Sequence, residues 1–383
     1  MTKIYLDYNA TTPVDPLVQE AMLPYFGNDF GNPSSFHWAG SKARKALEES
    51  REKIASLLSC KSDEITFTSG GTEANNLALL GIVGAMYETP SHRAHVITTQ
   101  IEHQSVLAPL MFLEKKGEAE VTRLRVNSEG NISLEELKES IKENTILLSI
   151  MFANNEIGNI YPMTEIGKIA REKKILFHTD AVQAVGKLPI NLSRLPVDLL
   201  SFSSHKIYGP KGVGALYVRK GTKLKPLVHG GSQEMEKRGG TQNLPGIVGF
   251  AQAMDLITTK LDSESLRLRE LRGYLERGLM ERIPNLQIHG DENFRVSNTL
   301  NVTMIGITSE TILIALDREG IAVSSGSACA SGAIEPSHVL LAMGVPKAQA
   351  KGAIRFSLGQ WTTQADVEYV LEKLPKIVER LRS

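Results

Sequence analysis

Residues 175–206 read ILFHTDAVQAVGKLPINLSRLPVDLLSFSSHK, and the fold turns on this stretch. Two short apolar runs, Ile175–Thr179 and Asp198–Ser203, are each followed at once by chemistry-bearing side chains: Asp180 and Gln183 after the first, His205 and Lys206 after the second. Short runs that are apolar almost throughout mark strands covered on both faces, as in a parallel sheet. The same alternation continues outward, with Ile65–Thr68, His95–Thr99, Thr145–Ala153 and Gly214–Val218 as further strand candidates and helical patterns between them. From about Ile65 to Val218 the reading is therefore α/β, a mostly parallel sheet flanked by helices. Ligands of such sheets bind outside the carboxyl ends of the strands, where these polar residues fall.

After Gly240, a helical stretch from Pro245 to about Ile283 is dense in Arg, Glu and Leu, and mixed α and β segments follow from Leu286. The chain has 383 residues, a length that suggests about two to three domains. We expect a large domain over 15–260 and a smaller α+β domain made of 1–14 and 261–383. The 43 basic and 43 acidic residues cancel, so no overall field draws the chain to nucleic acid or an anionic membrane. The start, MTKIYLDYNATTP, lacks the basic and apolar parts of a secretory signal, and no apolar run approaches the ~20 residues of a membrane span. A cytoplasmic protein is the expectation. Cys60 and Cys329 are the only cysteines, too few for a disulfide framework or a thiolate zinc site, so no metal site is expected.

The run ITFTSGGTEAN from Ile65 to Asn75 is a strand, a glycine turn and a helix start. Free N–H groups at such a terminus favour a phosphate, although glycine turns before helices often serve geometry alone. Asp180 at a strand end is suited to keep a ring nitrogen protonated; its plainer role is to cap the next helix. Lys206, after an apolar strand and beside a histidine, is placed for Schiff-base chemistry. Lys211, in Pro-Lys-Gly-Val-Gly, competes with it but has the look of a turn residue. His103 is suited to lie on a flat ring or to serve as an acid/base group, and Asn154 and Asn155 bring amides to the same sheet edge or form an ordinary turn.

Together these residues resemble the fold-type I pyridoxal 5'-phosphate (PLP) enzymes, and within them the cysteine desulfurases of the NifS/IscS type. The resemblance spans nearly the whole chain: YLDYNATTP from Tyr5, GNPSS from Gly31, FTSGGTE from Phe67, NNEIG from Asn154, DAVQ from Asp180, SHK ending at Lys206, RGGTQN from Arg238, SSGSAC ending at Cys329 and RFS from Arg355. It implies a fold-type I transferase with Lys206 as the Schiff-base lysine, Asp180 on the pyridine nitrogen, Gln183 donating to the phenolic oxygen and His103 stacked on the ring. Gly71, Thr72, Ser203 and His205 would hold the phosphate, with Thr241 reaching it from the second subunit of a homodimer. Asn155 and Arg355 would bind the substrate carboxylate, assisted by Asn32. Gly71-Thr72 stands where the family usually has Ala-Thr, which leaves the backbone donors in place. Set against the resemblance, the expectation is that the tail by which some relatives dock the iron–sulfur scaffold protein has no counterpart after Ser383, which leaves the acceptor open.

Cys329 lies in SSGSACASG (324–332), a segment of small residues that bury little to offset backbone entropy, so a mobile loop over about 324–334 is expected. A movable thiolate suits a nucleophile that takes sulfur from bound L-cysteine and carries a persulfide to an acceptor. His103 would be the proton carrier, and Cys329 would be able to ligate an iron–sulfur cluster transiently with a partner. Cys60, between a helix and the strand at Ile65, reads as a structural thiol. An aminotransferase or selenocysteine lyase would share every cofactor residue, and transamination needs no thiol. A non-catalytic PLP-binding or sulfur-relay scaffold would require a degraded site.

Overall fold

The computed structural model describes residues 3–86, 93–325 and 335–383. After β1 (Ile4–Tyr5), seven strands form the central sheet: β2 (Ile65–Thr68), β3 (Ala94–Thr99), β4 (Ala119–Leu124), β5 (Thr145–Ser149), β6 (Leu176–Asp180), β7 (Leu199–Ser203) and β8 (Gly214–Val218). Their order is β2-β8-β7-β6-β5-β3-β4. Only β8 runs against its neighbours. Every residue of β2, β3, β7 and β8 is buried, as their apolar runs require. Because side chains alternate across a strand, adjacent residues enter different cores. Val96, Leu147, Leu199 and Leu216 pack with the helices Gly71–Met86 and Gln104–Lys116. Ile97, Leu148, Leu200 and Tyr217 pack on the opposite face, where Ile54, Ile166 and Phe250 meet them. Each fully buried Leu there is worth about 1.5–3 kcal/mol relative to leaving it exposed.

Three elements differ from the sequence reading. Strand β4 had no apolar run to announce it; it is the edge strand, its residues 120–123 are not buried, and Glu120, Thr122 and Arg123 are tolerated there. Regular pairing of β5 stops at Ser149 rather than Ala153, although Phe152 N still donates to Asp180 O at 2.9 Å. The long helical stretch is two helices, Leu244–Thr259 and Leu261–Arg282. At the break, Thr258 and Thr259 turn their hydroxyls back onto the carbonyls of Met254 and Asp255 at 2.7 and 2.8 Å, a competition that weakens a helix end.

A second sheet, antiparallel, has β9 (Leu286–His289), β10 (Thr299–Met304) and β12 (Ala353–Ser357) in the order β12-β10-β9. Leu268, Leu275, Leu300, Phe356, Val367 and Leu371 form its core with the helices Leu261–Arg282 and Gln364–Arg382. Strand β1 pairs in parallel with β11 (Ile321–Ala322), and Asp7 bridges to Ser357. The N-terminal segment is thus bonded to the second sheet before it crosses to the central one, where Thr12 N donates to His205 O at 3.0 Å.

Among the described residues the outer edge of β2 has no neighbouring strand, and a buried ion pair takes the place of one. Arg51 Nη1 donates to Ile65 O at 2.8 Å, and Glu234 Oε2 accepts from Phe67 N at 2.8 Å. The two side chains also join as a fork at 2.8 and 2.9 Å. This clamp holds Glu234, Met235 and Glu236 in left-handed backbone, with φ of 48°, 54° and 63°, a conformation that costs about 1–2 kcal/mol per residue. Glu234→Ala leaves Arg51 charged and buried, and should lower unfolding free energy by about 3–5 kcal/mol in urea denaturation. An unshifted midpoint would contradict the clamp.

Candidate active site

A cavity of about 630 Å³ opens at the carboxyl ends of the central strands, within the range for small-molecule and cofactor sites. Its wall brings together Gly71, Thr72, His103, Asn155, Asp180, Gln183, Ser203, His205, Lys206 and Arg355. These ten predicted residues come from six separate stretches of chain. Asn32 and Thr241 do not reach it; both are exposed, and Asn32 Oδ1 accepts from Ser34 N at 2.9 Å in a local turn. Cys329 and most of its segment, 326–334, lie outside the described residues. Cys60 packs against the main core, and burial pushes its thiol up to about 12.

Lys206 follows β7, and its Nζ donates to the main-chain oxygens of Asn9 and Ala10 at 2.6 and 2.7 Å. Carbonyls solvate the ammonium without neutralising it. Burial first, and then the nearby charge of Arg355, bring its pKa down to about 8. Lys211 is exposed. Lys187 is half-buried, and desolvation, then the charges of Lys206 and Arg355, push its amine well below the ordinary lysine range. It is spent, however, on Asn9 Oδ1 at 2.9 Å and on Gln183 Oε1, away from the cavity.

Asp180 ends β6 as a buried carboxylate, accepting from Asn75 Nδ2 at 2.7 Å and Val182 N at 2.9 Å. Because Lys187 holds Gln183 Oε1, the amide turns its Nε2 toward Asn9 O at 3.0 Å, with one hydrogen to spare. His103 caps the helix Gln104–Lys116, taking Ser105 N on Nδ1 at 3.1 Å. His205, 3.1 Å from Thr11 Oγ1, is lowered to about 4 by burial and then by the charges of Lys206 and Lys211, so it is neutral at pH 7. Arg355 on β12 is buried, with Nη2 on Asp7 Oδ1 at 2.7 Å and Nη1 on Asn155 O at 2.9 Å. A carboxylate entering here has to share that fork with Asp7. Asp7 and Asn9 lie in the YLDYNATTP stretch and Asn75 ends ITFTSGGTEAN, but none of them, nor Lys187, was given a role from the sequence; Lys187 had one signal, its place four residues after Gln183.

A phosphate-bearing ring fits this wall. Ser203 Oγ is buried with no hydrogen-bond partner among the described residues. It lies by the start of the helix Gly71–Met86, whose first N–H groups have no intrahelical acceptor. Gly71 keeps that approach tight, since a Cβ there would come within 2.7 Å of Val182 Cγ2. Arg355 Nε is a second buried donor without a partner among the described residues.

Comparison with known proteins gives the family. The family model for aminotransferase class-V matches residues 4–370. The chain belongs to the class-V aminotransferase family. A relative from Dictyoglomus turgidum, named cysteine desulfurase IscS, is 51% identical over 381 residues, covering 100% of this chain and 96% of the relative. Among solved structures, one titled NIFS-like protein superposes with a TM-score of 0.92 at 41% identity, covering 99% of this chain and 100% of that one. Another, titled SspA in complex with cysteine, gives 0.83 at 38% identity, covering 94% and 100%.

For this class-V chain, the neutral, nucleophilic fraction of the Lys206 amine should rise through about pH 8. Reductive methylation, read by peptide mass spectrometry on protein first stripped of carbonyl adducts with hydroxylamine, should show that onset. Arg355→Gln removes a cation that favours the neutral amine and should move the onset to higher pH. An onset that stays put would remove Arg355 from the cause.

Proposed function

We propose that this chain is a PLP-dependent cysteine desulfurase, taking sulfur from L-cysteine, releasing L-alanine and retaining the sulfur as a persulfide on Cys329. The observation that carries the reading is the convergence of Lys206, Asp180, Ser203 and Arg355 on one cavity. The relatives named cysteine desulfurase, and the structural relative solved with cysteine, support the substrate. PLP, held through Lys206, supplies the electron sink that lets the α-carbon of bound cysteine lose its proton. Asp180 keeps a proton at the ring nitrogen, Gln183 donates to the phenolic oxygen, and His103 lies against the ring. Gly71, Thr72, Ser203 and His205 hold the phosphate. Arg355 and Asn155 orient the substrate carboxylate. The freed Lys206 amine is the base for the α-proton.

Cys329, as thiolate, then attacks the substrate sulfur. A sulfur–sulfur bond forms, the carbon–sulfur bond breaks, and its electron pair stays with the carbon skeleton, which takes up protons and leaves as alanine. The persulfide passes to an acceptor protein such as an iron–sulfur scaffold, with Cys329 available as a transient cluster ligand. We assign residues 15–260 to the cofactor-bearing domain, and 1–14 with 261–383 to the smaller one. The working unit is a homodimer in which Thr241 and Asn32 complete the site of the second copy. Phe36 and Trp38, 97% and 75% exposed and close to Asn32 in the chain, support such a partner. We place the enzyme in the cytoplasm; no helix among the described residues is long and apolar enough to cross a membrane.

Cys329→Ala should retain the visible cofactor band while sulfide release from cysteine in the presence of a thiol reductant falls by at least about a hundredfold, as when the nucleophile of a covalent step is lost. Undiminished turnover in that variant would refute the sulfur role.

A further inference from the structure

Asn75 lies in the helix Gly71–Met86, fully buried beneath the cavity and not on its wall. Its Nδ2 makes two donations, to Asp180 Oδ2 at 2.7 Å and to Ser105 Oγ at 2.8 Å. An ionised carboxylate only accepts, so the amide is fixed with Nδ2 toward Asp180. Its Oδ1 is left buried without a partner among the described residues. An amide that leaves its oxygen orphaned has been oriented by what its nitrogen must hold. Ser105 Oγ, having received a hydrogen from Asn75, has its own to give, and His103 Nδ1 stands 2.8 Å away. Ser105 N points at the same nitrogen from 3.1 Å. Two donors therefore converge on one ring nitrogen, which is left to accept.

We infer that Asn75 and Ser105 are positioning residues that tie the Asp180 carboxylate to the tautomer of His103. They hold the imidazole neutral, with its hydrogen on Nε2. His103 then serves the cavity as a neutral hydrogen-bond donor, and the chain of donors behind it opposes its becoming a proton carrier through Nδ1. Charge on the ring is also opposed by burial and by Lys206 and His338, and favoured by Asp180 and Glu156; the balance lies below the ordinary histidine range. The tautomer itself follows from hydrogen-bond geometry alone. Only the use made of the Nε2 hydrogen rests on the desulfurase reading.

The test is long-range proton–nitrogen correlation spectroscopy on ¹⁵N-histidine-labelled holoenzyme, with the His103 signals assigned by their loss in His103→Gln. Between about pH 6 and 8 His103 should appear as the neutral Nε2–H form. Ser105→Ala should raise its titration midpoint by about half to one pH unit, the worth of one net hydrogen bond. Asn75→Leu frees the serine hydroxyl to turn and accept, and should shift the midpoint the same way. The double variant should move it no further than Ser105→Ala alone, because both changes act through one hydroxyl. Ser105→Thr should restore the parent value. A hydrogen on Nδ1 in the parent, an unmoved midpoint in Ser105→Ala, or additive shifts in the double variant would overturn the inference. Should Asn75→Leu fail to fold, Ser105→Ala and Ser105→Thr decide it. Absence of sulfide release with these signals intact would defeat the desulfurase reading and leave the network standing.

Discussion

The structure depends on how the Lys206 amine is held: against the main-chain carbonyls of Asn9 and Ala10, at the place where the N-terminal segment crosses the carboxyl edge of the central sheet. Asn9 is the fastening. Its N donates to Ser357 Oγ at 3.0 Å and its Nδ2 to Thr299 Oγ1 at 2.8 Å, both on the second sheet. Its carbonyl takes Gln183 and Lys206 from the first. One residue thereby fixes the lysine, the glutamine beside it and the spacing of the two sheets. Because the partners of the amine are carbonyls, the positive charge is tolerated but not stabilised as an ion pair would stabilise it, and the proton is easily given up.

The polar groups around the cavity follow a common rule. Groups whose orientation has to be fixed are held by neighbouring polar groups: Asp180 by Asn75 and Val182, Gln183 by Lys187, Arg355 by Asp7 and Asn155. Donors left over, Ser203 Oγ and Arg355 Nε, are buried and without a partner among the described residues. A buried donor without an acceptor is costly. Under the proposed function an anionic phosphate and a substrate carboxylate would satisfy these donors and offset that cost.

Much of this was legible in the sequence, for a physical reason. Strands covered on both faces read as apolar almost throughout, so β2, β7, β8 and the start of β6 announced themselves, and residues at or directly after their carboxyl ends, Asp180, His205 and Lys206, fell on the site by topology alone. Edge strand β4 escaped because half its surface faces water and may be polar, and the helix break at Lys260 escaped because threonine back-bonding leaves no proline or glycine to mark it. Asn9, Asn75 and Lys187 were illegible for another reason: each acts through contacts across long stretches of chain or from behind the wall, and in sequence they resemble ordinary loop, helix and turn residues. Asn32 and Thr241 entered only through resemblance, and both stand off the cavity of a single chain.

The central claim is that Lys206, and neither of its neighbours Lys187 and Lys211, is the amine that forms the Schiff base. Reducing the purified holoenzyme with borohydride and mapping the modified peptide by mass spectrometry tests this most directly. The account predicts a reduced pyridoxyl group on Lys206; the same group on Lys187 or Lys211, with Lys206 unmodified, would contradict it.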